Sequence, residues 1–333
     1  MKSFVLILGL ALGAWQSAGG AKPAAAQEKP AKPQVYNEAA DARADLKAAL
    51  ARASKDNKRV LIQWGANWCG WCIKLHDVFK SDKEIAKELL YEYEVVFVDI
   101  GQRDKNLDLV KELGATMDEG VPYLTVLDGA GKPIAQQETG ALEVKGEPRH
   151  DTAKVLEFLT AHQAPYANAQ DLYAAALKRA QTENKRIFLH FGAPWCGWCH
   201  RLEAWMADPR VAAILAKDFI DLKIDEDRTI GGKELSAKMR GERQGGLPWI
   251  VLLDAQGKEL AAGNDLDDKE KANVGFPQAE PEIVWFGKML ASARSSISDA
   301  EIEELKASLV KARETRENAA KEAAARKNAG ASG

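Results

Sequence analysis

All four cysteines of this 333-residue chain lie in two copies of one pentapeptide, Trp-Cys-Gly-Trp-Cys, at 68–72 and 195–199. Two cysteines separated by two residues can close a small disulfide when the second lies one turn into a helix. That spacing serves thiol–disulfide exchange. A sulfur at a helix N-terminus is held as a thiolate by the unpaired backbone N–H groups and the helix dipole. The thiolate attacks a disulfide, and the second cysteine then attacks the mixed disulfide and releases the substrate. The motif therefore assigns Cys69 and Cys196 as attacking residues, and Cys72 and Cys199 as resolving residues. Three other uses stay open. Two CxxC pairs can bind one zinc ion tetrahedrally if the two halves face each other. A pair can be a purely structural disulfide, although so short a loop stabilises little. A fold of this kind can also serve as a non-catalytic binding or chaperone module.

The elements that must position these sulfurs recur with the motif. The segment DLKAALARASKDNKRVLIQWGANWCGWC (45–72) is matched by DLYAAALKRAQTENKRIFLHFGAPWCGWC (171–199). Further on, EGVPYLTVLDGAGKPIA (119–135) is matched by GGLPWIVLLDAQGKELA (245–261). The offset is 127 residues at the cysteines and 126 beyond the second strand, so the chain holds two copies of one domain. Apolar residues at helical spacing precede a short apolar run, Val60–Trp64 or Ile187–Phe191, that suits a buried parallel strand. Each copy then reads helix, helix, strand, helix, strand, Gly-containing turn, strand, helix. The expected class is α/β, each domain a central mixed β-sheet flanked by helices.

These residues resemble the thioredoxin and protein disulfide isomerase superfamily, as two tandem thioredoxin-like domains over 40–163 and 165–297. The carriers are WCGWC after an apolar strand, the Val121-Pro122 and Leu247-Pro248 dipeptides about 50 residues later, and the strand pair that follows. The resemblance implies that Pro122 and Pro248 are cis and face the sulfurs, with Val121 and Leu247 beside them in a substrate groove. Trp68 and Trp195 would shield the sulfurs, and Trp71 and Trp198 would complete the groove. The sequence departs from the family at the Gly-Trp pair between the cysteines, which influences redox poise. It departs again six positions before each first cysteine, where thioredoxin carries a buried acid. Here Gln63 and His190 stand there. Gln63 does not titrate; His190 can take a proton or sit as a hydrogen-bonded core histidine. The two sites are therefore expected to differ in proton handling.

The rest of the chain sets the context. Apolar residues make up 46% and charged residues 29%, with a net charge of −3. This is a globular composition that argues against nucleic acid as a partner. Residues 1–26 read as a secretory signal peptide: Lys2, an apolar run over 4–15, and small residues allowing cleavage after Gly20, Ala21 or Ala26. Export, to a periplasm or another extracytoplasmic space, would let the disulfides persist. Residues 27–39 read as a linker and 298–333 as a charged helix fraying into a disordered tail, with Ile302, Leu305 and Leu309 as a thin apolar stripe. The segment 264–282 reads as a surface loop. No nucleotide-binding fingerprint is present, so no cofactor and no metal is expected beyond the chain's own disulfides. Electrons would pass to or from cysteine-containing exported proteins and a membrane or soluble redox partner.

Overall fold

The computed structural model describes residues 34–264 and 273–330. The signal peptide read over 1–26, and linker residues 27–33, lie outside the described residues. In the first half Asp41 caps α1 (Ala42–Asp56) by accepting from the N–H groups of Arg43 and Ala44. Asn57, in the left-handed region at φ 52°, ends it. The chain then runs through β1 (Arg59–Gly65), α2 (Gly70–Ser81), α3 (Lys83–Glu92), β2 (Tyr93–Asp99), α4 (Leu107–Glu112), β3 (Tyr123–Leu127), β4 (Pro133–Glu138) and α5 (Thr152–Ala161). The second half repeats this: α6 (Ala169–Glu183), β5 (Arg186–Gly192), α7 (Gly197–Met206), α8 (Pro209–Asp218), β6 (Phe219–Asp225), α9 (Gly232–Arg240), β7 (Trp249–Leu253), β8 (Glu259–Ala262) and α10 (Glu280–Ala293). Asn168 and Asn184 cap α6 as Asp41 and Asn57 cap α1.

Each half builds one four-stranded mixed sheet, ordered β2-β1-β3-β4 and β6-β5-β7-β8. β1 runs parallel to β2 and antiparallel to β3, so it is central. Its alternate residues feed two cores. Val60, Ile62 and Trp64 pack with Leu46 and Ala49 of α1, whereas Leu61 packs with Leu75 and Phe79 of α2 and Ile85 of α3. A strand covered on both faces is largely apolar, which is why β1 and β5 read as apolar runs broken only by Gln63 and His190 between their flanking residues. The central position aims the end of each strand at its Cys motif.

Two expectations are corrected at the edges of these domains. The linker does not extend to residue 39: Tyr36 is 2% exposed, and the Asn67 side chain accepts from the N–H groups of Val35 and Tyr36. The charged C-terminal helix is present, but its apolar stripe is packed rather than lying on a fraying tail. α11 (Asp299–Gly330) puts Ile302, Leu305 and Leu309 into one core with Trp205, Ile283 and Phe286. Leu305 and Leu309 are 1% exposed, and each such burial stabilises by about 1.5–3 kcal/mol. The first three turns of α11 therefore belong to the second core, because that core is open on its α7–α10 side without them.

The halves are braced by charge. Arg228, just after β6, pairs with Glu92 of α3 at 2.8 Å, with 4% and 1% of the side chains exposed. It also donates to the carbonyls of Asp56 and Asn57, the last carbonyls of α1. No helix among the described residues is long and apolar enough to cross a membrane.

Candidate active site

Each motif follows the central strand directly and opens a helix. Cys69 is the N-cap of α2 and Cys196 the N-cap of α7. Each sulfur accepts the backbone N–H of its partner cysteine at 3.1 Å. That N–H is one of the donors a helix N-terminus leaves unpaired, and it stabilises negative charge on the first sulfur. Cys69 closes a disulfide with Cys72, and Cys196 with Cys199. All four residues are at most 5% exposed, the resolving cysteines 0% and 1%. Each pair closes on itself, in its own domain.

The peptide bonds Val121–Pro122 and Leu247–Pro248 are cis. The structure brings both to the sulfurs. The Val121 carbonyl lies 3.3 Å from Cys69 Sγ, and Leu247 packs against Cys196 and Cys199. Thr139 holds the Pro122 carbonyl at 2.6 Å. In the second half, Asn273 donates to the carbonyls of Gly246 and Pro248, both at 2.9 Å. The end of the segment 264–282 thus reaches the proline; its residues 265–272 lie outside the described residues.

The four tryptophans divide into two roles. Trp68 and Trp195 are 44% and 59% exposed, yet each indole N–H is tied down, to the Gly101 carbonyl and to Asp227. Each directly precedes its first cysteine and presents part of its ring to solvent. Trp71 packs edge-on against His150, with Lys74 over its ring. Trp198 instead lies under Arg201 at 4.1 Å and Arg316 of α11 at 5.5 Å.

The two sites are backed differently. Gln63, fully buried, donates through Nε2 to the Tyr36 hydroxyl at 2.7 Å and to the Cys72 carbonyl at 3.1 Å. His190, also fully buried, faces Asp221 through Nε2 at 3.0 Å, and its Nδ1 has no hydrogen-bond partner. Burial alone would raise the Asp221 carboxyl; His190 and Lys55, at 3.2 Å, hold it well below the usual range. Beside it, Lys223 bridges Asp56 and Glu203 of α7, each at 2.8 Å. Glu203 is pulled against its burial down to about 2 by His200 and Lys223. His200 Nδ1 stands 3.9 Å from that carboxylate, beyond hydrogen-bond distance, and Glu203 raises its pKa in turn.

Two of these groups, Lys55 and Asp56, come from the first half and reach under the second motif. They line a cavity of ≈350 Å³ with Pro194, His200, Lys223 and Arg228. Trp195 is linked across the same boundary, since Asp227 also accepts from Tyr91 of α3 at 3.0 Å. Sequence reasoning missed Tyr36, Asp221 and this whole boundary. One signal was available. The motifs differ at Asn67 and Pro194, and only an asparagine can pin a passing backbone as Asn67 pins Val35 and Tyr36.

Residues 41–129 match a family model described as Thioredoxin-like. Residues 149–307 match the Thioredox_DsbH model, described as a protein of unknown function, DUF255. Among curated relatives, protein disulfide-isomerase erp38 of Neurospora crassa is 27% identical over 190 residues, 54% of this chain and 47% of its own length. Disulfide bond reductase DsbH of Chlamydia pneumoniae is 30% identical over 97 residues, 26% of this chain and 57% of its own. The chain spans about half the length of the first of these curated relatives. A solved disulphide isomerase from Xylella fastidiosa is 28% identical, covers 39% of this chain and 96% of its own, and superposes with a TM-score of 0.35.

Proposed function

We propose that this chain, a tandem member of the thioredoxin superfamily, is a thiol–disulfide oxidoreductase with two active sites. The observation that carries the reading is the placement of each disulfide at a helix N-terminus, beside a cis-proline groove and behind an exposed tryptophan. In the reducing direction the Cys69 or Cys196 thiolate attacks a substrate disulfide. One substrate sulfur leaves as a thiolate, and the other is held in a mixed disulfide. Cys72 or Cys199 then attacks the enzyme sulfur, re-forms the internal disulfide and releases the second substrate thiolate. In the oxidising direction the same steps run backwards. The Val121 and Leu247 segments present backbone along which an extended substrate can lie, and the tryptophans give it an apolar contact.

Replacing both Cys69 and Cys196 by serine should abolish reduction of insulin disulfides and refolding of scrambled ribonuclease. Retained exchange in that double variant would sink the assignment. Low identity to relatives named as isomerases and reductases is consistent with this activity.

An extracytoplasmic location is part of the proposal, resting on the apolar run after Lys2 and its small-residue exit. There the substrates would be exported proteins with cysteines, and the electrons would come from or go to a redox partner. N-terminal sequencing of the protein recovered from its host should find a start at Ala21, Lys22 or Gln27; an intact Met1 would contradict export by cleavage.

A further inference from the structure

We infer that Tyr36 is a hydrogen-bond donor to the Cys72 sulfur as the first disulfide opens, filling at that site the place left by Gln63. The inference rests on the reading that Cys69–Cys72 exchanges, and it deepens it.

Gln63 Nε2 faces the Cys72 carbonyl, which can only accept. That contact fixes the amide orientation, so the same nitrogen must donate to Tyr36 Oη. The hydroxyl is thus an acceptor toward Gln63, and its own proton is directed elsewhere. Among the described residues no oxygen or nitrogen takes it. Burial pushes the phenol well above its ordinary value, so it keeps that proton.

The glycine between them defines the geometry. A Cβ on Gly65 would collide with Tyr36 Oη and would lie 2.6 Å from Cys72 Sγ. Oxygen and sulfur therefore both crowd the same side of Gly65, and only glycine lets the two approach it together. Tyr36, Cys69 and Cys72 form one buried cluster. The ring is held by an edge contact to Phe97, and its backbone is clamped on both sides by Asn67. Nothing similar stands at the second site. A Cβ on Gly192 would meet only Cys199, with Sγ at 3.3 Å.

The step balances without another reactant. A substrate thiolate attacks Cys69 Sγ and forms a new S–S bond. The Cys69–Cys72 bond breaks, and its electron pair stays on Cys72 Sγ. The Tyr36 O–H then donates to the new thiolate beside it. In the disulfide that sulfur carries no charge, so the bond strengthens only as the reaction proceeds, which is the pattern that lowers a barrier. In reverse, the same bond presents the Cys72 thiolate for attack on the mixed disulfide.

The test uses the full chain with all four cysteines, opened by reduced glutathione, quenched by alkylation, and read pair by pair by peptide mass spectrometry. Tyr36→Phe should slow opening of Cys69–Cys72 about tenfold, the size of one hydrogen bond to a charged group, and leave Cys196–Cys199 within twofold. Incorporating 3-fluorotyrosine at position 36, a stronger donor, should speed opening of the first pair. Equal opening of the first pair in all three proteins would overturn the inference while leaving exchange intact. Equal slowing of both pairs would overturn it as well, since that marks a fold-wide effect. A first pair that glutathione never opens in the wild type would overturn the exchange reading itself.

Discussion

The two Cys-Gly-Trp-Cys sites share a strand, a helix N-terminus and a cis-proline, but not what lies behind the sulfurs. The first is backed by neutral groups, Gln63 and Tyr36, drawn from its own half. The second is backed by ions, and part of that set is borrowed. Lys55 and Asp56 of the first half reach Asp221 and Lys223 of the second. The reverse does not occur at the first motif among the described contacts. The duplication thus preserved the placement of the disulfide and varied the side chains behind it. It also leaves the second motif leaning on side chains of the first half.

The largest effect is expected from breaking that dependence. Arg228→Met leaves the buried Glu92 carboxylate with the Tyr166 hydroxyl, at 2.9 Å, but no cation, which costs about 3–5 kcal/mol. Chemical denaturation should show this loss, with the transition broadening or splitting as the halves uncouple. Adding Glu92→Leu should recover most of it. A loss below about 1 kcal/mol in the single variant would mean that the brace is not the main link between the halves.

Acid should next separate the two domains. Glu203 is held down to about 2 from an ordinary 4.5, and Asp221 and Asp218 are also lowered. A depressed carboxyl contributes stability that is present above its ordinary value and lost as pH falls toward the folded one. In the first half the half-buried Glu88 is raised instead, by desolvation first, so protonation favours its folded state. Between pH 4.5 and about 2, amide exchange should therefore rise in α7 and β6 before it rises in α2 and β2. Simultaneous loss of both halves would contradict this assignment.

A smaller, kinetic difference is expected from His190. Replacing it with glutamine, the residue at the matching position of the first half, should bring the opening rate of the second pair toward that of the first, measured in single-site variants. Equal rates for the two wild-type pairs would remove the distinction. The smallest effect belongs to Arg316→Ala, which strips one cation–π contact from Trp198. It should change the second site's affinity for an aromatic peptide disulfide by less than about 1 kcal/mol and leave the first site unchanged.

What could be read from sequence follows the range of the interactions. The strand, the motif and its helix are contiguous, and a duplicated register exposed them. The prolines were legible only through a family resemblance, and the structure places them at the sulfurs. Tyr36 was hidden because a tyrosine near a Pro- and Ala-rich segment looks like linker until Asn67 pins it. Ile302, Leu305 and Leu309 were visible as a stripe, but a stripe does not name the surface it packs on; here that surface is Trp205 and α10. The Arg228–Glu92 pair, 136 residues apart, left no local mark at all.

Each pair should be redox-active, and the two should differ because of what backs them. This is tested by the reduction midpoint of each pair in the full chain, by thiol trapping across glutathione buffers with peptide-resolved readout. Two complete and separable transitions are expected, one for Cys69–Cys72 and one for Cys196–Cys199. A single shared midpoint, or a pair that stays oxidised throughout, would refute it.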